Sequence, residues 1–136
     1  QWCQGLLYYY LGTGDEEALR IALRIGDNLC GWITGPRKNS LQYSGRESAW
    51  PLLSLAALYE ITRIERYHEA GMAIIESMQQ VVREHGQMVW EYPPGSGILS
   101  PYMLAMTFNG VWDMYAATGN EKVLALSSLH TLYEAG

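Results

Sequence analysis

The chain has 136 residues, of which 49% are hydrophobic, and a formal net charge of −5. That is enough apolar material for the core of one domain spanning 1–136, while the scarcity of Lys and Arg argues against the phosphate-backbone footprint of a nucleic-acid binder. No run of about 18 uncharged apolar residues fits a membrane span, so a soluble protein with no nucleic-acid or membrane partner is expected.

The first segment, Gln1 to Gly14, has no charged residue and begins directly in helix-like sequence, without the basic and apolar regions of a leader; it reads as a cut rather than a natural start. It ends at Thr13-Gly14-Asp15, where Gly14 suits a left-handed helix end and Asp15 the N-cap of the next helix. The helix that follows, from Asp15 to Trp32, carries six charged residues. Its Cys30 lies toward the same end of the hairpin as Cys3. The two differ in distance from the turn by about six residues, roughly 9 Å at the helical rise, beyond the Cα separation of about 7 Å that a disulfide tolerates. Two free thiols are expected, and two cysteines leave the compartment, cytoplasmic or secreted, open.

The central stretch, Gly45 to Glu60, joins polar residues to a greasy helix. Pro51 suits a first helical turn and Ser48 a cap, so this helix is expected to start near Trp50. From Leu52 to Ile61 only Ser54 and Glu60 are strongly polar, so the helix must be surrounded by protein. The next helix, Glu65 to Glu84, is amphipathic: Tyr67, Gly71, Ile74, Ile75, Met78, Val81 and Val82 recur at spacings of three and four and predict one buried face. Between Ser100 and Thr118 Asp113 is the single charged residue, and Asn120 to Ala135 completes the set.

Three threonines align these segments: Thr13, Thr62 and Thr118, 49 and 56 residues apart. Each has a tyrosine three residues before it (Tyr10, Tyr59, Tyr115) and a glutamate three after it (Glu16, Glu65, Glu121). The pattern predicts an all-α chain of three consecutive antiparallel helical hairpins, about 1–33, 48–85 and 101–136, with inner helices near 3–12, 50–62 and 101–117 that carry only Glu60 and Asp113 among them and more highly charged outer ones. The middle tripeptide, Thr62-Arg63-Ile64, lacks both the glycine and the cap, so its turn is expected to be built differently. The connections from Ile33 to Ala49 and from Gly86 to Pro101 are long for a compact domain. Antiparallel geometry gathers them on one rim beside Trp2, Arg46, Glu47, Trp50, Trp90, Glu91, Tyr92 and Tyr102.

An uncharged inner helix, a Thr-Gly-Asp or Thr-Gly-Asn turn and an amphipathic outer helix, as in Gln4 to Asp15, resemble the six-hairpin glycosidase-like proteins. The resemblance implies an (α/α) toroid of about six hairpins that binds carbohydrate in a central funnel ringed by the inner-helix N-termini. Unsaturated uronyl hydrolases, β-L-arabinofuranosidase-like enzymes and toroid polysaccharide lyases belong to that superfamily. Three hairpins make about half a toroid, so the resemblance also implies that the inner helices are covered by the remainder of a longer chain or by another copy in a homo-oligomer. The paired-aspartate signature of the uronyl hydrolases is absent, and none of their catalytic residues is carried over.

Glycoside hydrolysis usually needs two carboxyl groups, one protonated and one ionised. Glu47 and Glu91, on equivalent rim connections, are candidates, although Glu47 also has Arg46 beside it as an ion-pair partner. Asp113, alone among apolar neighbours, is either a site residue or a structural group held by an adjoining helix. Arg46 offers a planar fork for a uronate carboxylate or a tie for its own connection. Trp2, Trp50, Trp90, Tyr92 and Tyr102 are candidate stacking surfaces for sugar rings. His68, His85 and His130 fall on outer helices, away from that mouth. Trp2-Cys3-Gln4-Gly5 resembles the Trp-Cys-His-Gly of lanthionine-cyclase-like toroids, but Gln4 stands where the ligand histidine belongs, so neither zinc nor any cofactor is expected. The expected function is part of a glycoside hydrolase or polysaccharide lyase acting on oligo- or polysaccharides, uronate-containing ones included. A non-catalytic helical-repeat scaffold or binding module is the alternative.

Overall fold

The computed structural model describes residues 2–35, 45–85 and 101–125. Among them all regular structure is helical: α1 (Gln4–Thr13), α2 (Glu16–Thr34), α3 (Gly45–Thr62), α4 (Glu65–His85), α5 (Pro101–Thr118) and a sixth helical segment over 121–125. Helix α3 is the centre of the fold, touching α1, α2, α4 and α5, with its broadest contact on α5. Its Ala49, Leu52, Leu55, Ala56 and Leu58 are closed off from solvent, as is Ser54. A helix without a polar face can only be placed this way. The face predicted for α4, from Tyr67 to Val82, is buried at all seven positions.

Contacts fix the directions of the helices. Trp50 meets Met106, a Cβ on Gly110 would meet Leu52, and Arg63 reaches Ala117, so contacts advance together and α3 and α5 run parallel. Helix α4 runs back along α3, because Tyr59 stacks on His68 while a Cβ on Gly71 would meet Leu52. Between α2 and α4 the buried Tyr67 supplies the joint: its hydroxyl donates to Asp27 Oδ1 at 2.9 Å, and Arg66 pairs with the same carboxylate. Cys30 Sγ lies 3.6 Å from the Arg66 carbonyl, whereas Cys3 is buried with its N–H on Ser54 Oγ, 3.2 Å away; both thiols are free.

The three Thr turns share one backbone and threonine geometry. The residue after each threonine takes a left-handed conformation, Gly14 at φ 73°, Arg63 at 55° and Gly119 at 65°. Its N–H donates to the carbonyl of the preceding tyrosine, Tyr10, Tyr59 or Tyr115, at 2.7, 2.8 and 2.7 Å. Each threonine hydroxyl donates to the carbonyl four residues back and accepts the N–H two residues on. The expectation of a different middle turn holds for the cap alone: Asp15 and Asn120 accept N–H groups of the following helix through their side chains, which Ile64 cannot do, whereas threonine and backbone supply the same reversal in all three and Arg63 adopts it without glycine's freedom. Arg63 gains compensation, since its guanidinium donates to the Ala117 carbonyl at 2.9 Å and lies over the Tyr59 ring. A left-handed L-residue costs roughly 1–2 kcal/mol. Replacing Arg63 by Ala or by Gly removes the same contacts, but only Gly removes the strain. Denaturant unfolding should find Arg63→Gly more stable than Arg63→Ala by about 1 kcal/mol.

A second correction concerns the start of α3, which begins at Gly45 rather than near Trp50 and so encloses Pro51. Ser48 is then an interior, fully buried residue rather than a cap. Pro51 forfeits a single intrahelical bond, that to the residue 47 carbonyl, and the neighbours of α3 close over it.

Burial is uneven among the three inner helices, in keeping with the expectation that half a toroid leaves them to be covered by more chain or another copy. Among the described residues α3 alone is flanked on both sides. On α1, Tyr8, Tyr9 and Leu11 are exposed, as are Tyr102 and Trp112 on α5, because among those residues each of these helices has α3 on one side and nothing packed on the other.

Candidate functional site

The repeat register defines a face. Counting back nine, five and two residues from each threonine gives Gln4, Tyr8 and Leu11 on α1; Leu53, Ala57 and Glu60 on α3; and Asn109, Asp113 and Ala116 on α5. Spacings of four and three keep each trio on one side of its helix. Tyr8, Leu11, Glu60, Asn109 and Ala116 are exposed, and Ala57 lies buried between the flanking helices.

Gln4 joins the flanks. Its amide nitrogen donates to the Tyr8 hydroxyl at 2.9 Å and to Asp113 Oδ2 at 3.4 Å, while its carbonyl oxygen accepts from Trp2 Nε1 at 3.3 Å. Helices α1 and α5 have no close backbone approach of their own, so these side chains meet across α3. The Trp2 ring, 54% exposed, stands edge-on to Trp50 at 5.8 Å between centroids. Trp50, half-buried, donates its indole N–H to Met106 Sδ at 3.2 Å, which locks it between α3 and α5. The result is an open aromatic edge beside a tethered carboxyl group.

Burial pushes the Asp113 carboxyl above its ordinary range; the Gln4 hydrogen bond opposes this and the charge of Glu60 adds to it. For an acid whose folded-state pKa is raised, the ionised form is the one the fold disfavours, so stability from this group increases as the pH falls through the raised value. Asp113→Asn should therefore raise the melting temperature at neutral pH. The gain should shrink to nothing once the pH drops below the ordinary carboxylate range; thermal melts at several pH values read both.

Of the residues singled out in the sequence, Asp113, Trp2 and Trp50 come together in this cluster. Tyr102 is 63% exposed in the first turn of α5, on the side that carries Met106 and Asp113. Arg46 and Glu47 belong to the first turn of α3 rather than to a loop; their side chains, and all of Trp90, Glu91 and Tyr92, lie outside the described residues. Sequence reasoning missed Gln4, Tyr8 and Glu60, which the threonine register would have picked out. His68 is engaged with Glu65 on α4, and burial holds the Cys30 thiol up at about 11 and the Cys3 thiol above its usual value, so neither is a thiolate nucleophile at neutral pH. Among the described residues no group of His, Cys, Asp and Glu could hold a metal ion, and no helix is long and apolar enough to cross a membrane.

Comparison with protein-family models, with curated proteins and with solved structures finds no match to this chain.

Proposed function

We propose that the chain is part of a carbohydrate-active enzyme, a glycoside hydrolase or polysaccharide lyase, built as consecutive helical hairpins amounting to about half of an (α/α) toroid. The observation that carries this reading is the cluster on the α1–α3–α5 face: an exposed indole next to a carboxyl group tethered by Gln4 and pushed toward its protonated form. An exposed indole offers a stacking surface to a sugar ring. A carboxyl of raised pKa is the half of a glycosidase pair that gives a proton to the leaving oxygen, and Glu60, whose charge reaches Asp113, lies on the same face as its counterpart. The parallel run of α3 and α5 and the three matching turns support the toroid reading. In that arrangement the open flanks of α1 and α5 receive the remainder of a longer chain or a second copy.

Indole fluorescence of the chain, titrated with a panel of oligosaccharides, tests the proposal. A saturable change is expected, weakened at least tenfold by Trp2→Ala. Silence across the panel would favour the scaffold reading, in which the same face meets protein.

A further inference from the structure

Taking the glycoside-hydrolase half of the proposed function as its basis, since a lyase eliminates from uronates, we infer that the α1–α3–α5 face accepts a neutral, hydroxyl-rich sugar ring and turns away uronates. The argument is one of unfilled hydrogen bonds and of charge. Both N–H groups of the Gln4 amide are used, by Tyr8 and Asp113, and Trp2 takes one of the two lone pairs on its oxygen, leaving one acceptor position. The cluster also offers the Tyr8 hydroxyl proton as a donor and the second Asp113 oxygen as an acceptor, with the exposed Asn109 amide at the register position equivalent to Gln4. Such a mixed set matches sugar hydroxyls, each of which donates and accepts. The half-open Trp2 ring beside it presents an apolar surface for the C–H face of the sugar.

The charge is one-sided. The nine register residues include two acids, Asp113 and Glu60, and no base. Arg63, just beyond Glu60, is committed to the Ala117 carbonyl and the Tyr59 ring. A uronate carboxylate here would face the Glu60 carboxylate, and any ionisation of Asp113 would add to the repulsion, within the ~10 Å over which salt at ~0.1 M leaves charges in contact; like charges brought together suppress binding. The Arg46 fork is the competing route to a uronate, and its predicted consequence is opposite in sign.

The test compares neutral xylo-, gluco- and arabino-oligosaccharides with oligogalacturonates of matched length, by calorimetry and indole fluorescence at low and moderate salt. Neutral ligands should saturate the chain with little salt dependence, and the galacturonates should bind at least tenfold more weakly, gaining affinity as salt rises. Asp113→Asn combined with Glu60→Gln should narrow that gap; circular dichroism checks its fold, and the salt series on the unmodified chain decides the matter if the variant does not fold. Galacturonates that bind better than neutral sugars, lose affinity with salt and depend on Arg46 would overturn the inference while leaving the carbohydrate reading intact. Binding of neither set would overturn both.

Discussion

Leu52→Ala is expected to destabilise the chain by about 2–5 kcal/mol, the range for truncating a fully enclosed leucine, against a total stability for domains of this size of about 5–15 kcal/mol. Leu52 is fully buried where three helices converge. A Cβ added to Gly110 would lie 3.2 Å from it and 3.2 Å from the Ala49 carbonyl, and one added to Gly71 would lie 3.7 Å from it. The two glycines bring α4 and α5 close enough to α3 for this single side chain to fill the gap between them. Removing it leaves a void bounded by rigid backbone on both sides, which cannot collapse cheaply. Leu53→Ala, at the half-open neighbouring position, should cost markedly less, and the difference between the two variants in denaturant midpoint is the measurement. Equal losses would mean that the convergence at Leu52 is not the keystone contact described here.

The second large effect is expected in solution. Trp2, Tyr8, Tyr9, Leu11, Tyr102 and Trp112 are each between 54% and 63% exposed. Soluble monomers seldom show contiguous apolar patches beyond a few hundred Å², and hairpin repeats bury their cores through neighbours. The chain on its own should therefore exceed monomer mass at micromolar concentration and bind a dye that reports exposed apolar surface. Leu11→Glu with Trp112→Glu should lower both signals without changing the helical content, since neither side chain is in the core. A monomer that binds no dye would overturn the expectation, and with it the view that the flanks of α1 and α5 are docking edges.

Much of this architecture is written in the chain. The C-terminal ends of α1 and α5 follow from Thr13-Gly14-Asp15 and Thr118-Gly119-Asn120, because glycine and the cap residue each act within one turn of the backbone. The seven buried positions of α4 follow from spacing alone. Other features depend on surroundings that local sequence does not carry. Pro51 reads as a helix start, yet the enclosure of α3 outweighs one lost hydrogen bond. Arg63 reads as a break in the repeat, yet a carbonyl 54 residues along the chain helps hold it in a left-handed turn. Asp113 stood out as a lone charge, but its partner Gln4 is 109 residues away, on a helix that reaches it only across α3.

The bond from Arg63 to Ala117 also bears on how stability is shared along the molecule. It ties the loop of one helix–turn–helix to the end of the next helix, so it acts as a coupling between neighbours rather than as a property of either. In a linear array, such couplings decide whether segments melt one at a time or as a block. Because α3 and α5 share the broadest contact in the fold, weakening this one bond would loosen only the end of that interface beside Arg63 and Ala117, where the last turns of the two helices would open below the transition of the rest.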